Sequence, residues 1–374
     1  MQKSLSDMAK YMKNIISPNI PDAYSIKPMF NHIASDADIR SGVLAYRELL
    51  YLICDRLVAD GGLYDKPLAK EKEGIISHPS FMEGYPFFNY VKSVLYNIGV
   101  HGQLIDNNAS IVIGDMELLA TVLNSGGGSS KSKILVPKMI TILKFLNSCG
   151  ILFDGINLDD KKSDITKVTS LKISYPDRAA MLTGLKVMAI AQRDLLPKKV
   201  IAQSDSILKR VFDVFLRCDY SILTNEGLII ASVLKDVINS LSNGVQDFIL
   251  SLHQHALDME LVCDLSIYLP DIDFAYFYKN KEIWSLKVSC ESGYRFLLKA
   301  QNIQKYAEVI KTFPMSLQDK IALGYGCDRR KFGNPCVRGC HGFSFALDES
   351  ILDIKQDIMK WIDAEMSCLT KGKK

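Results

Sequence analysis

The sequence predicts a helix-dominated α+β fold, and three observations support this class. Apolar residues recur at three- and four-residue steps through most of the chain, which is the spacing of an amphipathic helix. After Pro270 the pattern changes to short strand-like runs, FAYFY, IWSLKVS and YRFLLKA, separated by turn residues. The 374 residues are 48% hydrophobic and 23% charged, which is enough to bury ordinary globular cores.

The length predicts two or three domains. We expect a helical amino-terminal region over residues 1–84, a central domain over 85–200, and a helical carboxy-terminal domain with a small antiparallel sheet over 201–374. The first residues lack the uninterrupted apolar core of a secretory signal, and no run approaches the roughly 20 apolar residues that cross a bilayer. Nine cysteines, several of them in apolar helix-like segments, are typical of reduced thiols. A cytoplasmic protein without a membrane partner is therefore expected.

The amino-terminal region contains one strong helix after Ser35-Asp36, a pair that caps helix starts. Its apolar positions follow helical spacing at Val43, Leu44, Tyr46, Leu50, Ile53 and Leu57. Gly61-Gly62 is expected to end this helix.

The central region shows a fixed order of helix-like and strand-like segments. The order is helix Phe87–Asn97, extended Ala109–Ile113, helix Asp115–Asn124, a Gly/Ser turn, helix Pro137–Ser148, and strand-like Ile151–Ile156 and Val168–Tyr175. The polar stretch NLDDKKSDITK separates the last two runs. Asp115 and Pro137 are residue types that favour helix starts.

This order of elements over residues 86–175 resembles the winged helix-turn-helix family. The resemblance implies that the third helix, Pro137–Ser148, contacts double-stranded DNA and that the wing, NLDDKKSDITK, touches the phosphate backbone. The alternative is a module of the same fold that packs against another domain or subunit.

Charge is concentrated in the same region. The formal net charge of the chain is +3, which is too small to imply nucleic acid by itself. Between Ser125 and Tyr175, eight lysines and four aspartates give a net charge of +4, so the rest of the chain is about neutral. The candidate DNA-binding residues are Lys131, Lys133, Lys138, Thr141, Lys144, Lys161 and Lys162.

In the third helix, the expected buried stripe is Met139, Ile142, Leu143 and Leu146. The outward face then carries Lys138, Thr141, Lys144 and Ser148. This face is expected to hold none of the Arg, Asn or Gln side chains that favour direct base readout, and the wing carries nearly as many acids as lysines.

The second half of the chain predicts helices over residues 205–265, then the small sheet, then a final helix capped by Asp348. The aromatic residues of the strands either line a ligand pocket or cover a core. The two histidines His253 and His255 are two residues apart, so on one helix they point in different directions and do not share an ion.

A cysteine-rich stretch, GYGCDRRKFGNPCVRGCHGF, precedes the final helix. Cys327, Cys336, Cys340 and His341 have the spacing C-x8-C-x3-C-H, and four Cys or His ligands make a structural zinc site. Because Cys340 and His341 are adjacent, the fourth ligand is alternatively Cys290 or Cys368. The other interpretation is a loop of reduced thiols, since zinc modules usually carry C-x2-C pairs and none is present.

These observations favour a binding protein over an enzyme. We expect a DNA-binding regulator that joins a winged-helix module to a sensing or dimerising carboxy-terminal domain, with double-stranded DNA and a second copy of the chain as partners. One alternative is an enzyme that uses the carboxy-terminal cysteines or a metal, because the neighbouring arginines would favour a thiolate. A second alternative is a protein-interaction scaffold without chemistry.

Overall fold

The computed structural model describes residues 4–64, 86–124, 137–159, 167–195, 213–269, 271–323 and 342–370. The chain divides into two compact units, Met1–Ile229 and Ile230–Lys374. Among the described residues helices dominate, and each unit shows one small antiparallel sheet, which agrees with the predicted α+β class.

Helices form the frame of the first unit. Their bounds are Leu5–Ile15 (α1), Asp36–Tyr64 (α2), Pro86–His101 (α3), Met116–Asn124 (α4), Pro137–Ser148 (α5), Ala180–Leu195 (α6) and Val214–Arg217 (α7). Helix α1 begins at a capping box, in which the Asp7 N–H donates to Ser4 Oγ and the Ser4 N–H donates to Asp7 Oδ2, each at 3.1 Å. Helix α2 packs against both α1 and α6.

Helices α2 and α6 cross at a point where neither carries a side chain. A Cβ added to Gly184 of α6 would lie 2.0 Å from the carbonyl oxygen of Gly42 in α2. A Cβ added to Gly42 would lie 2.6 Å from the Gly184 nitrogen. Because both distances are far below van der Waals contact, only glycine permits this approach of the two backbones.

Helix α2 continues through Gly61-Gly62 to Tyr64, so the predicted helix end at the two glycines was wrong. A glycine that ends a helix has a left-handed φ, and neither glycine is among the residues of positive φ. Gly61 instead faces α1, where an added Cβ would lie 3.2 Å from the Ser6 nitrogen. The absent side chain at Gly61 allows α1 to approach.

Between α2 and α6 the chain forms a module over residues 86–174, hereafter the central module. It contains α3, α4, α5 and four strands, Gln103–Ile105 (β1), Ser110–Ile113 (β2), Leu152–Asp154 (β3) and Leu171–Ser174 (β4). The sheet order is β1–β2–β4–β3, and every pair is antiparallel. One face of the sheet is buried, at Ile111, Ile113, Phe153, Leu171 and Ile173.

Strands β1 and β2 form a hairpin, whereas the sequence pattern predicted a single extended segment here. The turn between them places Asp106, Asn107 and Asn108 in the left-handed region, with φ of 55°, 54° and 67°. Asp and Asn tolerate this conformation better than other residues that carry a Cβ.

Three aromatic rings attach the central module to the end of α2. The ring centroid of Tyr64 in α2 lies 4.5 Å from that of Phe87 in α3 and 5.2 Å from that of Phe145 in α5. Phe87 and Phe145 are themselves 5.3 Å apart in an edge-on arrangement. The cluster therefore packs the start of α3 and the middle of α5 against the end of α2.

The described part of the second unit contains five α-helices and a five-stranded sheet. The helices are Ile230–Ile238 (α8), Asn243–Asp258 (α9), Ala307–Ile310 (α10), Met315–Leu323 (α11) and Lys355–Thr370 (α12). The strands are Val262–Tyr268 (β5), Asp271–Tyr278 (β6), Lys281–Ser289 (β7), Gly293–Leu298 (β8) and Phe343–Ala346 (β9). They pair antiparallel in the order β5–β6–β7–β8–β9, which makes β5 and β9 the edges.

Strand β5 corrects the prediction that residues 205–265 are helical throughout. Leu265 and Ile267 are buried while Asp264 is exposed, so the side chains alternate between the two faces of the sheet. Pairing with the neighbouring strand β6 over its whole length supplies the tertiary contact that the local pattern did not reveal.

The aromatic residues of this sheet belong to a packed core. Phe274, Tyr276, Trp284 and Phe296 are each at most 1% exposed. The Tyr276 ring stacks on the Trp284 ring at a centroid distance of 3.7 Å. Of the two interpretations of these aromatic residues, the core is the one that their burial supports.

A buried carboxylate fastens α12 to the rest of the second unit. Glu365 accepts hydrogen bonds from the Gln301 N–H at 3.1 Å, the Asn302 N–H at 3.0 Å, Asn302 Nδ2 at 2.7 Å and the Tyr306 hydroxyl at 2.6 Å. Trp361, one turn earlier in α12, donates from Nε1 to the same Tyr306 hydroxyl at 3.1 Å. The segment 301–306 is therefore held by α12.

Candidate nucleic-acid interface

Helix α5 has one buried side and one polar side, as its sequence predicted. Met139, Ile142, Leu143 and Leu146 are all fully buried. On the opposite side Thr141, Lys144 and Ser148 are exposed to solvent, and the side chain of Lys138 lies outside the described residues. These positions are spaced by three and four residues, so they form one stripe along the helix. This stripe is hereafter the α5 polar face.

Asn147 also lies on the exposed side of α5, which corrects the expectation that this face holds no amide side chain. Its Nδ2 donates to the Ile151 carbonyl at 3.1 Å. The amide therefore satisfies a carbonyl of the chain that follows the helix. An asparagine that recognises a base uses both the NH2 and the C=O of its side-chain amide, so this hydrogen bond competes with base recognition.

Lys144 is the cation at the centre of the α5 polar face. Its side chain is 51% exposed, and its Nζ lies 3.8 Å from Asp159 Oδ1. Asp159 follows β3 at the base of the connection to β4, and its side chain is 98% exposed. An ion pair this exposed contributes little to stability, so an external anion can replace the aspartate with little loss.

A second lysine of the central module is engaged elsewhere. Lys172 of β4 lies 2.8 Å from Asp106 in the β1–β2 turn. The hydrogen bond from Lys172 lowers the pKa of Asp106, and the same bond raises the pKa of Lys172. In β4, the side chains of Leu171 and Ile173 are buried, so Lys172 lies on the other face of the sheet. It points away from the core that α5 covers.

Helix α4 begins next to this sheet with an aspartate cap. Asp115 Oδ1 accepts from the N–H groups of Glu117 and Leu118, each at 2.9 Å. The cap places the carboxylates of Asp115 and Glu117 at the exposed start of α4. The described surface of the central module is thus mixed in charge and carries no continuous basic stripe.

Other predicted DNA-binding residues lie outside the described residues. Lys131 and Lys133 belong to the connection between α4 and α5, and Lys161 and Lys162 to the connection between β3 and β4. Thr141 and Lys144 are the candidates whose side chains the structure places, and both are on the α5 polar face.

The predicted metal ligands Cys327, Cys336, Cys340 and His341 also lie outside the described residues. Within the described ranges, no three His, Cys, Asp or Glu side chains are arranged to hold a metal ion.

The cysteines that the structure describes are free thiols. Burial raises the pKa of Cys54 to about 12 and the pKa values of Cys149 and Cys263 to about 11. These three thiols are protonated near neutral pH and are therefore poor nucleophiles.

The two histidines of α9 have separate partners, as their spacing predicted. His253 Nδ1 lies 2.7 Å from the buried Tyr276 hydroxyl. His255 Nε2 lies 2.7 Å from Asp363 of α12. Burial lowers the pKa of His253, so its imidazole is neutral near pH 7 and packs as part of the core.

A small cavity in the first unit is too small for a ligand. Its lining includes Met12, Leu50, Phe88, Lys92 and Leu216, and its volume is about 10 Å³. This is about the space that one water molecule needs.

No family model, no curated protein and no solved structure matches the chain. Within the described ranges, no helix combines the length and the apolar character that a membrane span requires.

Proposed function

We propose that the central module binds double-stranded DNA, with the α5 polar face against the duplex and the β3–β4 connection beside the phosphate backbone. The observation that carries the proposal is the combination of topology and exposure. The helices and strands follow in the order α3, β2, α4, α5, β3, β4, and the sheet order is β2–β4–β3 with the hairpin strand β1 added outside. This order resembles that of a winged helix-turn-helix, in which the third helix contacts DNA, and the resemblance supports the proposal.

Exposure of the α5 polar face supports DNA binding over a purely internal packing role. A helix that served only to pack against another part of the chain would have its polar side covered. Thr141, Lys144, Asn147 and Ser148 are instead exposed. The face is therefore accessible to a partner from solution.

The side chains on this face favour contact with the DNA backbone over base recognition. Lys144 offers one cation on this face, whereas Asn147 and Ser148 already donate to the Ile151 and Phe145 carbonyls. Ammonium groups bind phosphate oxygens, and such contacts position a protein without reading sequence. The proposed activity is salt-sensitive binding with weak sequence preference, in a regulator whose second unit has another task.

The test is the affinity of the full chain for a labelled duplex, measured by fluorescence anisotropy at several salt concentrations. Lys144→Gln is expected to weaken binding by about threefold to tenfold and to reduce the salt slope by about one, because one phosphate contact is lost. Lys172→Gln is the matched control. It removes the same charge from the same module, but from the sheet face where Lys172 is paired with Asp106.

Two outcomes would contradict the proposal. The first is absence of duplex binding even at low salt. The second is equal weakening by Lys144→Gln and Lys172→Gln, since that would indicate general charge attraction without a defined face.

A further inference from the structure

We propose that the outer edge of β5 is a dimerisation surface, at which β5 of a second copy of this chain pairs antiparallel. Among the described residues, the strand partner of β5 is β6 alone. The other side of β5 therefore presents backbone N–H and C=O groups along a seven-residue strand. This surface belongs to the second unit and does not depend on DNA binding by the first.

The sequence of β5 lacks most of the features that usually protect an edge strand, and its single charged side chain is Asp264. Lysine, proline and bulges on the edge prevent strands of other molecules from adding to a sheet. The strand VCDLSIY contains no lysine and no proline, and the register shift of this sheet lies between β6 and β7. Its first residue, Val262, is an apolar side chain that is 67% exposed.

A second copy of β5 fits this edge by symmetry. When two identical antiparallel strands pair about a two-fold axis, residues that face each other must have side chains on the same face of the sheet. The axis therefore lies between the two copies of a single residue. Overlap of all seven residues places the axis at Leu265. Asp264 of one copy then lies opposite Ser266 of the other, and Cys263 lies opposite Ile267.

This register is compatible in charge and in polarity. Asp264 is the single charged residue of the strand, and it meets a serine instead of a second aspartate. Apolar Leu265 and Ile267, which belong to the core face, continue the apolar row of the partner. The product is one sheet that runs through both copies, in which the β5 edge of each copy is closed by the β5 edge of the other.

The dimer is expected to depend on protein concentration, because strand pairing alone covers less than the roughly 1,600 Å² of a standard interface. Sedimentation velocity of the full chain over a wide concentration range is the first measurement. A monomer at every concentration would overturn the proposal, and so would an unchanged dimer in all the variants described next.

Three of four variants test the register itself. Ser266→Asp places an aspartate opposite Asp264 twice in the dimer, and we expect the dissociation constant to rise by about tenfold. Asp264→Lys alone adds a lysine to the edge opposite a serine, and we expect it to weaken the dimer severalfold. The double variant Asp264→Lys with Ser266→Asp restores opposite charges and is expected to recover the dimer. Failure of this recovery would rule out the proposed pairing.

The fourth variant, Val262→Lys, separates association from folding. The Val262 side chain is largely exposed, so lysine is tolerated in the monomer while it protects the edge. Its expected effect is a severalfold weaker dimer with an unchanged melting curve measured on the dilute monomer. If every variant lowered both the melting temperature of the monomer and the affinity of the dimer, the result would contradict a specific role of the β5 edge.

Discussion

Glu365 shows how a buried charge is stabilised by the backbone around it. A carboxylate removed from water is costly unless donors replace its hydration. Here two backbone N–H groups, one amide and one hydroxyl supply four hydrogen bonds. Because the acceptor is on α12 and the donors are in segment 301–306, the carboxylate links two parts of the second unit that are distant in sequence.

Replacement of Glu365 is therefore expected to destabilise this unit. Glu365→Ala leaves four donors without their acceptor and should lower the free energy of unfolding by about 3 kcal/mol. The control is Asp363→Asn, two residues earlier on α12, where an exposed pair with His255 is lost. That change should cost less than about 1 kcal/mol. Urea unfolding measures both, and equal losses would contradict the role assigned to Glu365.

Asp271, at the start of β6, provides a pH-dependent test. Burial, with a further contribution from the nearby Glu291, raises its pKa from 3.8 to about 6. The folded protein thus holds a proton that the unfolded chain releases, and the stability associated with it is lost as the pH rises through 6.

Asp271→Asn, which is neutral at every pH, should gain stability relative to the natural protein as the pH increases from 4 to 7. The measurement is the free energy of unfolding of both proteins by urea across this range. A difference that stays constant with pH would show that the carboxyl group titrates normally.

At single positions, the sequence predicted burial better than it predicted hydrogen-bond partners. The four-residue stripe of α5 is buried as its spacing indicated. The engagement of Asn147 with Ile151 and of Lys144 with Asp159 was not predictable, because both depend on where the chain after α5 returns. Periodicity identifies a face of a helix, whereas a partner is decided by tertiary structure.

Among the elements, the α2–α6 crossing makes the sharpest stability prediction. Gly184→Ala would place a methyl group against the Gly42 carbonyl, where backbone and not a flexible side chain must move. We expect a loss of about 3 kcal/mol or more in the free energy of unfolding. Gly62→Ala is the control in α2, because a Cβ there meets nothing within 4 Å.

That control should stabilise the protein by up to about 1 kcal/mol, since alanine favours a helix more than glycine does. Thermal unfolding of the two variants distinguishes the effects. The interpretation of Gly184 would fail if both substitutions shifted the melting temperature in the same direction.

Elements with strong local signals were predicted, and those fixed by pairing were not. The bounds Pro137–Ser148 of α5 match the sequence prediction, since Pro137 marks its start and a clear apolar stripe follows. Strand β1 has three residues and little pattern of its own. Strand β5 carries an alternating pattern at Cys263, Leu265 and Ile267 that could have identified it, but apolar helices precede it directly.

At the scale of the molecule, the candidate interface belongs to a module that lies, in sequence, between two helices that pack against each other. The central module follows α2 and precedes α6, and those two helices contact each other. The sequence predicted the order of elements within the module except for strand β1. It gave no indication that its flanking helices meet, because contacts between distant segments leave no periodic signal in either one.

The contact between Gly42 and Gly184 also bears on how the chain is synthesised. Residues of α2 close to this crossing, such as Ile39 and Val43, are buried in the finished protein. On the ribosome, α2 emerges well before α6 has been translated, so these apolar side chains lack their partner helix while the central module is being made. Helix α2 therefore cannot complete its packing until α6 has left the exit tunnel.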